Sequence, residues 1–346
     1  MTSHSLRTTA RSFVQAQSRS RSLLLTFDAF DTLFHPRQPV PEQYVLTANE
    51  FGLSGSALTP QKFKAAFKHV FHKQVTLYPN YGRADVLCGK YGGPRQWWEE
   101  VIRRSFTHAL SADSTQKSDI ENTHLPDGLV DALLNRFAGA EGYMLYPDVA
   151  PFFARMREFR ASQVKGGRFN NVIIGVISNS DDRVPAVLKA LGLRVSDMRA
   201  DQDRSSVELP GFEERSTEKE SGTQESIPSI ANQYSRPDSG NDLDLIITSY
   251  EAGAEKPNRL IFDVARRQAL LMALDGENFP RGTPTNLDEH GAWTCVHVGD
   301  DYQKDYIGAI DAGWQSYWLP RGNGQHSPAN KISSLMDLIH ELELGS

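Results

Sequence analysis

The second half of this chain alternates short apolar segments with segments of helical spacing, and this alternation restricts the fold more than any other feature. An apolar segment, LLLTF, also stands near the N-terminus. The later apolar segments are NVIIGVIS, LDLIITSY, TCVHVGD and QSYWLP. Strands that alternate with helices predict a parallel sheet covered by helices on both faces. The sequence therefore predicts an α/β fold with a doubly wound parallel sheet.

A block of helices interrupts this pattern directly after the first strand. Because the block separates that strand from the rest of the alternating pattern, we interpret residues 38–143 as an inserted helical cap and residues 23–37 with 144–346 as the core. The segments with helical spacing are PEQYVLTANEFGL, PQKFKAAFKHVFHK, RQWWEEVIRRSFTHAL and LVDALLNRFAG.

Two segments have compositions that do not suit a packed core. Residues 1–22 are rich in Ser and Arg and contain no acidic residue, so they are interpreted as a disordered tail or a mitochondrial targeting segment. Residues 198–241 are rich in Ser, Glu, Asp and Gln and poor in branched apolar residues. Such a composition cannot offset the entropy cost of ordering, so we expect a disordered acidic insertion within the core.

Charge and cysteine content exclude several classes of protein. The net charge of −6 gives no basic surface for DNA or RNA. Cys88 and Cys295 form no CxxC pattern, which argues against a disulfide scaffold or a structural zinc site. No segment approaches the roughly 18 consecutive apolar residues of a membrane span. We therefore expect a soluble intracellular protein of the cytoplasm, the nucleus or the mitochondrion, with a small-molecule partner.

Polar residues stand at the carboxyl ends of the predicted strands. They are Asp28 in FDAFDTLF, Ser178 in GVISNSDDR, Lys256 in SYEAGAEKPNRL, and Asp300 and Asp305 in VGDDYQKDY. Each one alone fits an ordinary role as a cap, a turn residue or a solvated charge. All of them in this order indicate a functional site, because open α/β sheets bind ligands at the carboxyl ends of their strands.

This ordered set resembles the haloacid dehalogenase-like (HAD) hydrolase superfamily, and the resemblance covers nearly the whole chain outside the tail and the insertions. It implies a Rossmann-like core with a helical cap after the first strand. The position of the cap and the segment GGPRQWWEEVIRRSF most resemble the group of haloacid dehalogenase-like hydrolase domain-containing protein 3.

The resemblance also implies a role for each residue of the set. Asp28 would be the nucleophile, and Lys256 would contact both this nucleophile and a phosphate oxygen. Ser178, together with Asn179, would bind phosphate oxygens. Asp305 would orient the lysine or a water molecule.

A magnesium ion is implied as well. Asp28, Asp300 and the backbone carbonyl of Phe30 would hold it, because Mg²⁺ prefers oxygen ligands and binds through one or two carboxylates together with substrate phosphate.

Phe30 departs from the pattern of the superfamily's phosphatases, which usually carry a second aspartate two positions after the nucleophile. That aspartate protonates the leaving oxygen and later activates water, and phenylalanine can do neither. General acid–base catalysis contributes typically 10²–10⁴-fold, so both steps should be slow. We interpret the neighbouring Asp31 as a residue that caps the turn rather than as a replacement acid.

Other polar residues fit weaker roles. His297 alternates with Val296 and Val298 within a strand, and we interpret it as a packed residue. Arg95, Tyr81 and Arg83 are lesser candidates for substrate contact.

The sequence therefore predicts a magnesium-dependent phosphatase that acts on a small phosphorylated metabolite through an aspartyl-phosphate on Asp28. A metal-free 2-haloacid dehalogenase is one alternative, since those enzymes also carry an aromatic residue at the position of Phe30. A catalytically silent binding protein and a phosphonate-cleaving enzyme are two others. The acidic run Gly299-Asp300-Asp301 favours a phosphate and a metal over a halide.

Overall fold

The computed structural model describes residues 22–53, 58–111, 124–162, 168–196, 240–273, 293–322, 326 and 328–344. Residues 1–21 and 197–239 lie outside these segments, so the disordered tail and the acidic insertion stay predictions. Ser22, which the sequence assigned to the tail, is buried and pairs within the first strand.

A five-stranded parallel sheet forms the centre of the described part of the chain. In spatial order its strands are β5 (Leu245–Thr248), β4 (Asn171–Ser178), β1 (Ser22–Phe27), β6 (Trp293–Gly299) and β7 (Gln315–Trp318). All six residues of β1 are buried, as expected for a central strand covered on both faces. The predicted doubly wound sheet is confirmed.

Successive side chains of β1 pack into different cores on the two faces of the sheet. Leu25 and Phe27 belong to the same apolar cluster as Phe152, whereas Leu24 belongs to the cluster of Phe262. The helices of the core are α6 (Val149–Ala161), α7 (Val184–Ala190), α8 (Ser249–Ala252), α9 (Arg259–Ala273), a π-helical turn (Tyr302–Ile307), α10 (Gly308–Asp311) and α11 (Asp337–Glu341). None of the helices in the described segments combines the length and the apolar character needed to span a bilayer.

A helical block lies between two short strands, β2 (Phe34–Pro36) and β3 (Tyr143–Leu145), which pair antiparallel where the chain leaves and re-enters the core. The block falls within the predicted limits 38–143, and its status as a separate cap domain stays a prediction. Its helices are α1 (Val40–Glu50), α2 (Pro60–Leu77), α3 (Pro79–Leu87), α4 (Pro94–Ser111) and α5 (Leu129–Arg136).

The sequence predicted α1, α2, α4 and α5 but missed α3. Asn80, Tyr81 and Gly82, near the start of α3, all have positive φ, so this segment has no continuous helical spacing. At Gly82 a Cβ atom would lie 2.5 Å from the Tyr91 ring, so glycine is required there for space as well as for backbone conformation.

A buried ion pair connects α6 to the edge of the sheet. The Arg160 guanidinium binds the Asp244 carboxylate and donates to the carbonyl oxygens of Val172 and Asn241, both at 2.9 Å. The same carboxylate accepts from the backbone N–H of Ile174 at 2.8 Å. The side chains of Arg160 and Asp244 are 4% and 0% exposed, so each depends on the other for its counter-charge.

Replacing Asp244 by Ala should lower the free energy of unfolding by about 3–5 kcal/mol, because the Arg160 charge would stay buried without a partner. Urea unfolding measures this loss. Arg155→Ala on the same helix is the control, since its exposed pair with Glu158 is expected to contribute only about 0–1 kcal/mol. Equal losses of unfolding free energy in the two variants would show that the buried ion pair stabilises the protein no more than the exposed one.

Candidate active site

The residues predicted from the strand ends come together where the carboxyl ends of the parallel strands meet. Asp28 directly follows β1, Ser178 ends β4, and Asp300 directly follows β6. These ends adjoin because β1 lies between β4 and β6. Lys256 enters from the loop after α8, and Asp305 enters from the π-helical turn.

Lys256 lies at the centre of this cluster. Its Nζ donates to Asp28 Oδ1 at 2.6 Å and to the carbonyl oxygen of Ile177 at 2.7 Å, and it pairs with Asp305 Oδ1 at 2.7 Å. The side chain is 2% exposed. Burial opposes the charged form, but the two carboxylates raise the pKa of Lys256 above its ordinary value, so the lysine stays protonated.

Asn179, which the sequence assigned to phosphate binding, is bonded to the backbone of Lys256. Its Nδ2 donates to the Lys256 carbonyl at 2.9 Å, and its Oδ1 accepts from the Lys256 N–H at 2.6 Å. Asn179 therefore fixes the loop that delivers the lysine. The Ser178 hydroxyl, also assigned to phosphate, is buried in the same region and makes no hydrogen bond to a described residue.

The carboxylates of the cluster differ in protonation. Burial raises the pKa of Asp28 to about 6, although Lys256 opposes this effect. Burial and the neighbouring charges of Asp28, Asp305 and Asp31 raise the pKa of Asp300 to about 7. The pKa of Asp305 lies well below its ordinary range despite burial, because Lys256 and a hydrogen bond from His297 stabilise the anion.

Each oxygen of the Asp305 carboxylate is held by the protein. Oδ1 contacts Lys256 Nζ and His297 Nε2, the latter at 3.2 Å, and Oδ2 accepts from the backbone N–H of Asp301 at 3.0 Å. This arrangement fits the predicted role of Asp305 in orienting the lysine.

His297 is fully buried and packs against the Phe262 ring, in line with the packing role expected from the sequence. It also holds Asp305, which sequence reasoning missed. Because a carboxylate only accepts hydrogen bonds, Nε2 must carry the proton. Burial lowers the pKa of His297, so the ring is neutral and Nδ1 accepts from the Thr26 hydroxyl at 2.9 Å. The available signal was the position of His297, two residues before Gly299 and on the same strand as the acidic motif.

The donor atoms of the cluster fit a divalent cation. Asp28, Asp300 and Asp305 each offer one carboxylate oxygen, and these oxygens lie within 4.8 Å of one another. Burial raises the pKa of Asp300 most, and the nearby carboxylates of Asp28, Asp305 and Asp31 raise it further, so negative charge accumulates around this residue. Oxygen donors with excess negative charge suit magnesium. Since Asp305 is already occupied by protein donors, Asp28 and Asp300 fit the ion best, and the Phe30 carbonyl stays the predicted third ligand.

Phe30 belongs to an aromatic group beside the site. The centroid of its ring lies 4.7 Å from that of Phe34 and 5.6 Å from that of Tyr143, both in edge-on geometry. The ring therefore packs between the core and β3, and the side chain supplies no proton donor.

The expected capping role of Asp31 is wrong. The turn is closed by backbone bonds, from the N–H of Asp31 to the carbonyl of Phe34 at 2.8 Å and from the N–H of Leu33 to that of Ala29 at 2.9 Å. Asp31 has a φ of 55°, which Asp adopts more readily than most residues, and its exposed carboxylate makes no hydrogen bond within the described segments.

The cap residues singled out in the sequence lie in different places. Tyr81 packs with Trp98 and lines a cavity next to the site. Arg83 lies against Gly253 of the core. Arg95 is an exposed surface residue that pairs with Glu99 at 3.0 Å and Asp131 at 2.6 Å, so its expected contact with substrate is not supported.

Asp300→Asn should raise the melting temperature of the metal-free protein more at pH 8 than at pH 5. The folded pKa of Asp300, about 7, exceeds its ordinary value of 3.8, so the folded state binds the proton more tightly and stability falls as pH rises through this window. Replacing the carboxyl group by an amide removes this loss of stability. Thermal unfolding in the presence of a chelator measures it, with Asp301→Asn as the control for a neighbouring charge. A variant no more stable than the wild type at pH 8 would contradict the assignment.

Comparisons with known proteins agree with this arrangement. Residues 253–341, which include Lys256, Asp300 and Asp305, match the family model described as HAD-hydrolase-like. An uncharacterized protein from Saccharomyces cerevisiae is 27% identical over 327 residues, covering 94% of this chain and 80% of that protein. Haloacid dehalogenase-like hydrolase domain-containing protein 3 from Danio rerio is 24% identical over 322 residues, covering 92% of this chain and 95% of that protein.

Among solved structures, a 2-haloacid dehalogenase from Pseudomonas syringae aligns with a TM-score of 0.43 and 16% identity, covering 92% of this chain and 97% of that chain. The family match and the relatives, several of them named haloacid dehalogenase-like hydrolase domain-containing protein 3, agree with the order of the site residues along the chain. Over most of its length the chain is therefore similar to haloacid dehalogenase-like hydrolases.

Proposed function

We propose that this protein is a magnesium-dependent phosphatase that transfers a phosphoryl group from a small phosphorylated metabolite to Asp28 and then to water. The observation that carries this proposal is the contact of 2.6 Å between Lys256 Nζ and Asp28 Oδ1 in a buried cluster that also contains Asp300. Phosphoryl transfer depends mainly on positioning and on stabilisation of the negative charge that develops on the phosphoryl oxygens. The cluster supplies both.

Asp28 supplies the attacking oxygen. Its bond to phosphorus forms as the bond from phosphorus to the leaving oxygen breaks, and the phosphoryl group stays on Asp28 until water attacks the phosphorus atom. Lys256 orients the carboxylate and balances charge on a phosphate oxygen, while Asp305 and Asn179 hold the lysine in place. The Ser178 hydroxyl is positioned at the end of β4 to donate to another phosphate oxygen.

Asp28 and Asp300 would hold the magnesium ion. When bound, the ion supplies positive charge between the anionic nucleophile and the anionic phosphate. Deprotonation of Asp300 is needed for this role, so magnesium should bind more tightly above pH 7 than below it.

The aromatic packing of Phe30 favours a second candidate, a metal-free 2-haloacid dehalogenase. A halide leaves without a proton, so the missing acid would cost nothing in that reaction. The excess carboxylates argue against this candidate because a halide gains nothing from them. Halide release from a 2-haloacid without magnesium, together with no hydrolysis of phosphate esters, would favour the dehalogenase.

Asp28→Asn should abolish hydrolysis of p-nitrophenyl phosphate, because the substitution removes the attacking oxygen and a metal ligand together. Phosphate release in the presence of magnesium measures this loss, and a chelator should abolish wild-type activity as well. Asp31→Asn, at the exposed neighbouring carboxylate, is the control and should keep most of the activity. Full activity in Asp28→Asn would place the nucleophile elsewhere and refute the mechanism.

Phe30→Asp should raise turnover of alkyl phosphates by up to about 10²–10⁴-fold and change turnover of p-nitrophenyl phosphate far less. Nitrophenolate leaves readily without a proton, whereas an alkoxide does not. Phe30→Asn is the control, because asparagine opens the same space as aspartate without adding an acid. Rapid-quench measurement of the phosphorylated enzyme identifies which step responds.

If Phe30→Asp accelerates neither substrate and does not shorten the lifetime of the phosphorylated enzyme, the missing acid is not what limits this protein. A binding protein without turnover would then describe the chain better.

A further inference from the structure

An apolar cavity of about 1040 Å³ lies between the inserted helices and the core, next to the candidate active site. Ligand cavities in proteins commonly measure roughly 300–1000 Å³, so this one can hold a sizeable organic group. Aromatic and branched side chains form most of its wall. They include Phe30, Tyr44, Phe67, Phe71, Trp98 and Val187.

Two residues that line the cavity are directly connected to the catalytic cluster. Phe30 lines the cavity and follows the nucleophile Asp28 by two residues. Asn179 also lines it, and the same amide is bonded to the backbone of Lys256 in both directions. A phosphate bound beside Asp28 and Lys256 would therefore have an apolar space close to its ester oxygen.

Helix α2 turns one apolar stripe toward this space. Phe67, Phe71 and Val75 are spaced four residues apart on the helix, and all three line the cavity. Phe67 and Phe71 are only partly buried, and Val75 is 40% exposed. The stripe is therefore not fully covered by the protein's own side chains.

The most strongly charged groups at the inner wall are already paired with each other. The Asp181 carboxylate accepts from Arg183 Nε at 2.9 Å, from Arg183 Nη2 at 2.8 Å and from Trp98 Nε1 at 2.7 Å. The Arg183 guanidinium also lies over the Trp98 ring, 4.7 Å from its centroid. Exposed side chains of α2, Lys64, Lys68, His69 and His72, also line the cavity, and the buried Ser180 hydroxyl beside it has no partner among the described residues. A sugar could reach some of these groups, but its hydroxyl groups would lose hydration against the apolar side chains that form most of the wall.

We propose that this cavity binds the leaving group, and that the substrate is the phosphate monoester of a bulky apolar alcohol or phenol rather than of a sugar. The inference rests on the proposed phosphatase function and specifies its substrate class. It also gives Phe30 a positive role, since the ring forms part of the wall that contacts the leaving group.

A series of n-alkyl phosphates from ethyl to octyl tests this inference, because their leaving alcohols have nearly equal acidity and differ in apolar length. With full-length protein and magnesium, kcat/KM should rise about two- to fourfold per methylene group until the cavity is filled. Hexyl phosphate should exceed glucose 6-phosphate by at least about tenfold on the same basis.

Two substitutions in α2 test whether the cavity wall causes the dependence of kcat/KM on chain length. Val75→Glu places a charge in the cavity wall and should reduce the gain per methylene group. Leu77→Glu is the matched control, because Leu77 is 53% exposed on the same helix and does not line the cavity. The control should keep the full dependence on chain length. Equal effects of the two substitutions would overturn the assignment of the cavity.

Binding without turnover separates this inference from the proposed function. Titration calorimetry of n-alkylphosphonates with the Asp28→Asn protein should show affinity that increases with chain length. If no phosphate ester is hydrolysed yet this dependence is found, the phosphatase proposal fails and the apolar subsite stands. If esters are hydrolysed without regard to chain length, and sugar phosphates react equally well, the apolar subsite is refuted and the phosphatase proposal stands.

Discussion

The Lys256 ammonium group pairs with two carboxylates at once, and the other residues of the site are arranged around these two ion pairs. It lies 2.6 Å from Asp28 and 2.7 Å from Asp305, almost entirely removed from solvent. Three charges buried together are tolerable only if each has partners, and the protein adds further ones through the Ile177 carbonyl, the Asp301 N–H and the His297 ring. The need to pair this one lysine therefore joins β1, β4, the loop after α8 and the strand β6 at a single point.

One lysine does not balance the carboxylates around it. Burial raises the pKa of Asp28 to about 6 and that of Asp300 to about 7, and the neighbouring carboxylates add to both shifts. This excess of negative charge at the carboxyl ends of the strands suits a divalent cation. Without a cation, the same charge would repel an anionic substrate. Phe30 lies where it adds neither charge nor a proton to this balance, so the site is better equipped to bind and attack a phosphate than to protonate a leaving group.

The inserted helices complete the surroundings of the site through a small number of polar contacts. Trp98 Nε1 donates to Asp181 at 2.7 Å, and Asn80 exchanges hydrogen bonds with Ser249, at 2.7 Å to its carbonyl and 2.9 Å from its hydroxyl. These contacts hold the aromatic wall of the cavity over the carboxyl ends of the strands. The chemistry of the core and the apolar character of the space beside it thus arise from different parts of the chain.

The amino-acid sequence alone was enough to predict the α/β alternation, four of the five inserted helices that lie in the described segments, and the positions of Asp28, Ser178, Lys256, Asp300 and Asp305. These are local properties, because the hydrophobic period within a segment and the polar residue at the end of a strand are visible without knowing what packs nearby. Other features depend on the folded structure, namely that Asn179 bonds to Lys256, 77 positions away, that His297 holds Asp305 through a protonated Nε2, and that Arg95 pairs with Asp131 at the surface. The folded structure also decided that Asp31 closes its turn by backbone bonds and that an apolar cavity adjoins the site. Apart from the local turn at Asp31, each of these features depends on which distant segments meet in the fold, and no spacing within a single segment encodes that contact.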